Sequence, residues 1–145
     1  MYLLYSIVLD FLNANNYPII DSVLEESKTY LVLATLCIIL PFFYWLIFYK
    51  FYSNPYAKFF HWVIALALSL MIVCFLSYTT VNEAIWGSNN LALNDLLAND
   101  QTAIEIAESL PIYLCVYNLF LATISGIIFS LFLKRFSKIQ IQLPF

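Results

Sequence analysis

His61, the cysteines Cys37, Cys74 and Cys115, the amide Asn118 and the hydroxyl Ser125 are the side chains whose chemistry needs explaining first. The chain's one histidine cannot supply both ligands of a bis-histidine haem, nor a histidine metal cluster. Beside Lys58 and Trp62 it reads as an interfacial side chain anchored among headgroups. At ~1.5 Å of rise per residue, each cysteine falls roughly 6 to 10 Å inside the outer boundary of its apolar segment, a shared depth that permits a thiol cluster. Three cysteines without a CxxC pair argue against a disulfide framework, and cysteine is a common small apolar core residue. Serine, cysteine and histidine do not meet at any nucleophile–base spacing. Gly87 and Gly126 are the only glycines, too few for a phosphate-binding loop. Six basic against nine acidic residues give a net charge of −3, and with no basic patch a nucleic-acid partner is excluded. These observations predict a protein that is not an enzyme and holds no metal or cofactor.

Asn118 lies in the run CVYNLFLATISGIIFS, where it is either a ligand for an ion or substrate or a packing residue. Energy-coupled transporters place ionisable residues inside their spans, and this run has none. Cys115, Asn118, Ala122, Ser125 and Gly126 share one stripe at spacings of three and four, while Leu119, Phe120, Ile124, Ile127 and Leu131 cover the rest. Small residues let helix backbones approach, and an interhelical amide hydrogen bond contributes about 0.6 to 2 kcal/mol in such settings. The stripe is therefore expected to be a helix-packing seam. His61, Ala65 and Ser69 form a shorter one; with three helices, one seam closes the bundle and the other meets a neighbouring subunit.

The elements that carry these residues follow from composition. The chain is 63% apolar and 10% charged with a mean hydropathy of +0.86, which predicts an all-α integral membrane protein. Its 145 residues suffice for one transmembrane helical domain. Three windows free of Asp, Glu, Lys and Arg have spanning length, namely 30–49, 59–80 and 111–133. Aromatic belts mark their ends: Tyr44, Trp45, Tyr49 and Trp62 at one boundary, Tyr30, Tyr78, Trp86 and Tyr113 at the other. Lys50, Lys58, Lys134, Arg135 and Lys138 gather on one side against Lys28 on the other, which predicts an outside N-terminus and an inside C-terminus. A bacterial inner membrane, or an organellar inner membrane, is the expected location.

MYLLYSIVLDFL lacks the positive flank and cleavage site of a signal peptide. Leu3, Leu4, Ile7, Val8, Phe11 and Leu12 repeat at helical spacing opposite Ser6 and Asp10, which describes a helix in the outer interface or one packed on the other helices. Ser22 and Glu25 stand at capping-box spacing, so a helix is expected to start near Ser22 and run into the first span, with Pro41 bending it. The loop 81–110 carries Glu83, Asp95, Asp100, Glu105 and Glu108. Its leucine and alanine periodicity predicts a short helix, then an N-cap at Asp100 and an outward extension of the third span, with Pro111 as a kink site. The acidic face is a solvated surface or a site for a basic partner or cations. The tail 134–145 alternates Ile139, Ile141 and Leu143 with glutamines at a strand's period, which suits docking on a cytoplasmic partner.

The expected role is a non-enzymatic integral membrane subunit of a larger assembly of secretion, translocation or respiratory type. Its partners would be the lipid bilayer and other membrane subunits or copies of itself. The alternative is a homo-oligomeric pore of holin or phage-defence-effector type, since three spans with this orientation share the topology of one holin class without sharing a sequence motif.

Overall fold

The computed structural model describes residues 2–51 and 59–134 of the chain. The first loop around Lys58 and the tail bearing Ile139, Ile141 and Leu143 lie outside the described residues. Six α-helices occur among the described residues: α1 Tyr2–Phe11, α2 Pro18–Glu26, α3 Thr29–Phe51, α4 Phe59–Trp86, α5 Leu91–Asn99 and α6 Gln101–Lys134. A one-turn 3-10 helix, Ala14–Asn16, joins α1 to α2. It is entered through Asn13 in the left-handed region at φ 54°, a conformation that asparagine tolerates better than most residues.

The expected start of the second helix at Ser22 is corrected. Pro18 occupies the first helical position, where its missing N–H and fixed φ cost nothing, so α2 begins four residues earlier than Ser22. Ser22 sits inside the helix, donating its hydroxyl to the Ile19 carbonyl at 2.8 Å. Nor does α2 run into the first span. Lys28 turns left-handed at φ 56°, and the hydroxyls of Ser27 and Thr29 bond at 2.7 Å across the break.

Helices α3, α4 and α6 contain three segments long and apolar enough to cross a membrane, of 22, 27 and 34 residues. At ~1.5 Å per residue the last is roughly 51 Å long, well beyond a hydrocarbon core of about 30 Å. It passes through Pro111 without interruption. Only 28%, 28% and 22% of the residues in the three apolar windows are buried, so most of their surface faces outward. Ile38, Phe43, Ile47, Phe75, Phe120 and Phe132 are among the large exposed side chains. Such surface is favourable against lipid or another apolar protein face and unfavourable in water.

The three long helices pack on one another, and the short ones gather at one end. There α2 lies on α3, α4 and α5, while α5 and α1 lie on α6. Leu9, Ile20, Leu24 and Leu93 are at most 1% exposed, and burying each from water contributes about 1.5–3 kcal/mol. Of the two arrangements open to the N-terminal segment, packing is observed: α1 buries Tyr5, Val8 and Leu9 while Ile7 and Phe11 stay exposed. Of the apolar repeat, Val8 is therefore buried and Leu12 packs against the same core, while Tyr5 and Leu9 are buried beside them. Gly87, just beyond α4, follows from sterics, because a Cβ there would stand 2.6 Å from the Glu83 carbonyl oxygen.

Candidate functional site

The polar groups of the long helices meet at three levels of the bundle. Asn118 on α6 is fully buried and ties four helices together. Its Oδ1 accepts the Tyr5 hydroxyl of α1 at 2.8 Å. Its Nδ2 donates to Ser77 Oγ of α4 at 2.7 Å and to the Leu33 carbonyl of α3 at 3.2 Å. Its backbone carbonyl accepts the Cys37 thiol at 3.5 Å. The Leu33 carbonyl fixes which way the amide points, because the opposite orientation would set the amide oxygen against it, acceptor against acceptor.

About two turns along α6, Ser125 meets a defect in α3. Pro41 has no N–H, so the Cys37 carbonyl four residues before it lacks its helical donor. Ser125 Oγ donates to that carbonyl at 2.5 Å, and also lies 3.1 Å from the Ala122 carbonyl of its own helix. Gly126 lets the helices close at this level. A Cβ there would stand 3.3 Å from Trp45 Nε1, 3.4 Å from Leu66 Cδ1 and 4.0 Å from Pro41 Cβ. Trp45 is completely buried, and its indole N–H faces no acceptor.

The third level is aromatic. Trp45 stacks on Trp62 and on Tyr49, each with ring centroids 5.6 Å apart and planes 26° apart. Ser130 on α6 is buried beneath them, accepting Trp62 Nε1 at 2.7 Å and bonding the Tyr49 hydroxyl at 2.6 Å. A single serine thus joins α3, α4 and α6. Helices that associate within lipid have no hydrophobic gain on association, so in a membrane these hydrogen bonds and the close Gly126 approach would be what favours one arrangement over others.

Of the sequence-derived seam, Cys115, Asn118, Ala122 and Gly126 are buried and Ser125 is partly buried. On α4, Ala65 and Ser69 are buried and His61 is partly buried. Tyr5, Ser77 and Ser130 were not among the candidates. Two of them continue the stripes by steps of four: Ser69 leads through Val73 to Ser77, and Ala122 through Gly126 to Ser130. Tyr5 had no such signal. Among the described residues no group of three His, Cys, Asp or Glu side chains is placed to hold a metal ion.

The acidic residues are dispersed. Glu83, Asp95, Glu105 and Glu108 are exposed. Asp100 caps α6 instead: its Oδ1 accepts the Thr102 hydroxyl at 2.8 Å and the backbone N–H groups of Thr102 and Ala103 at 2.9 and 3.3 Å. Its Oδ2 accepts the Tyr17 hydroxyl at 3.1 Å, fastening the start of α2 to the start of α6. The Thr102 hydroxyl, followed by the backbone donors and Tyr17, holds this carboxyl below the usual carboxylate range against an opposing contribution from burial.

No protein-family model matches the chain, and neither curated proteins nor solved structures give a significant match.

Proposed function

We propose that the chain is a non-enzymatic integral subunit of a larger multi-protein membrane assembly, in which it serves as a preorganised helical scaffold. The observation that carries this reading is the saturation of Asn118. Its amide acceptor and donors bind α1, α3 and α4, so the most polar side chain of the apolar run holds the bundle together and is turned away from the outer surface. What the long helices present outward is apolar, with Phe43, Ile47, Phe75, Phe120 and Phe132 exposed. A rigid core with a wide apolar exterior suits a part that is held among lipids and other subunits. We place it in a bacterial inner membrane, with the N-terminus outside and the basic ends of α3 and α6 inside, on the strength of Lys50, Lys134 and the basic residues that follow.

Photo-crosslinking from Phe120 and Phe132 in native membranes tests the role. Crosslinks to other polypeptides support it. Crosslinks only between copies of this chain, together with ion conductance of the purified protein in planar bilayers, would overturn it in favour of the pore reading. Orientation has its own test: a cysteine placed at Asn94 should react with an impermeant thiol reagent on intact cells, and one at Asn54 should not.

A further inference from the structure

The N-terminal segment meets α6 in a ladder of contacts that runs antiparallel to it. Tyr17, just before α2, donates its hydroxyl to Asp100 at the start of α6, and Leu12 and Asn13 share a cleft with Glu105, Ile106 and Ser109. The Phe11 and Tyr113 rings lie 5.7 Å apart, as do those of Tyr5 and Tyr117. The last rung is the Tyr5 hydroxyl on Asn118 Oδ1 at 2.8 Å. As the numbering falls along α1, the partner on α6 moves from the cap at Asp100 toward the middle of the helix.

The depth of this ladder follows from where α6 meets the other long helices. Asn118 lies seven residues inside the apolar window 111–133 and bonds to Leu33 and Ser77, each three residues inside the windows 30–49 and 59–80. At ~1.5 Å of rise per residue, the three windows agree in placing Asn118 roughly 5 to 10 Å below a shared boundary. Phe11, beside Tyr113, stands at that boundary. Tyr5 reaches the level of Asn118, and Tyr2, where α1 begins, is a further ~4.5 Å along the helix axis.

The residues of α1 suit this position. From Tyr2 to Leu9 it carries no charge, and its one acidic residue, Asp10, comes beside Phe11 at the boundary. Buried Tyr5 turns its hydroxyl inward to the Asn118 amide, as a phenol needs where no water can serve it. The other face presents Ile7 and Phe11, 63% and 72% exposed, at the levels where α6 exposes Val116 and Ile112.

We infer that α1 is a re-entrant half-helix, inserted beside α6 into one leaflet, and that its Ile7 and Phe11 face is a contact surface for lipid acyl chains. Such insertion requires that α3, α4 and α6 span the bilayer, the reading on which it rests. It excludes both a helix lying flat among the headgroups and one standing in water.

The test uses the full chain in lipid nanodiscs doped with phosphatidylcholine that carries a photoreactive diazirine either at the methyl end of one acyl chain or beside the headgroup. Adducts are located by peptide fragmentation, and the readout is the ratio of methyl-end to headgroup-side labelling at each residue. Ile7 lies about one turn deeper than Phe11, as Val116 lies about one turn deeper than Ile112. The ratio should therefore rise from Phe11 to Ile7 by the same factor as from Ile112 to Val116. Equal ratios at Ile7 and Phe11, beside a rising ratio along α6, would overturn the inference in favour of a helix lying flat at the surface. Adducts on Ile112 and Val116 but none on α1 would overturn it as well, since the face would then be in water or covered by protein. Absence of any gradient along α6 would instead refute the spanning reading, and the insertion with it.

Discussion

Ser125 on α6 supplies to α3 the hydrogen bond that Pro41 takes from it. The Cys37 carbonyl, left without its helical donor by the proline, accepts Ser125 Oγ at 2.5 Å. A double-mutant cycle isolates this relation. Ser125→Ala should cost about 1 kcal/mol in resistance to detergent-induced unfolding, within the range of interhelical hydrogen bonds in membranes. In a Pro41→Ala background the restored backbone N–H should remove most of that cost. An equal loss in both backgrounds would mean that the serine acts by other means.

Asn118 and Tyr5 separate bundle stability from docking of the N-terminal helix. Asn118→Leu strands the Tyr5 and Ser77 hydroxyls and should destabilise the bundle by about 1–3 kcal/mol. Tyr5→Phe removes only the α1 link, so hydrogen exchange should accelerate in α1 while α3, α4 and α6 stay protected. Uniform acceleration in all four helices would contradict this division.

How much of this was legible in the sequence depends on the range of the interaction. The three apolar windows, the Asp100 cap and the outward extension of α6 are local patterns, and all recur in the structure. Ser22 and Glu25 also formed a local pattern, but Pro18 competed for the same helix start and its fixed φ prevailed. Asn118 stood out as an amide in an apolar run. Its partner Tyr5 did not, because nothing in a short N-terminal segment says which of its residues will reach a helix more than a hundred positions away. Ser125 and Pro41 were each noticed separately; only the packing of α3 on α6 couples them.

Gly126 should resist enlargement where its neighbour does not. Gly126→Leu places bulk between Trp45 and Leu66, where even a Cβ would be 3.3 and 3.4 Å from their atoms, while Ile127→Leu changes a side chain that is 39% exposed. Overpacking of this kind costs about 1–3 kcal/mol or more. The expected outcome is reduced yield and broadened size-exclusion profiles for the glycine variant alone. Equal behaviour of the two variants would remove the close approach at Gly126 from the account.

The two stacked tryptophans should respond unequally to the same change. Trp62→Phe deletes the donor to Ser130 and should destabilise by about 1 kcal/mol or more. Trp45→Phe deletes an indole N–H that has no partner, so the loss of packing is partly offset by the removal of a buried, unsatisfied donor. Thermal unfolding in detergent should rank Trp62→Phe as the weaker protein; the reverse ranking would contradict the assigned hydrogen bonds.

Asp100 provides a dependence on pH. Its carboxyl is held below the usual range in the folded chain, so the stabilisation is fully present above the ordinary carboxylate pKa and fades as pH falls through the depressed folded value. Wild type should therefore unfold at a higher temperature than Asp100→Ala at neutral pH, and the gap should narrow on acidification below the ordinary carboxylate range. A gap that widened with acid would reverse the sign and refute the cap.

The assembly role is tested most directly by the mass and composition of the particle extracted from native membranes in mild detergent. The expected result is a particle in which this chain occurs at fixed stoichiometry with different polypeptides. A particle built only of copies of this chain, with channel currents on reconstitution, would contradict it.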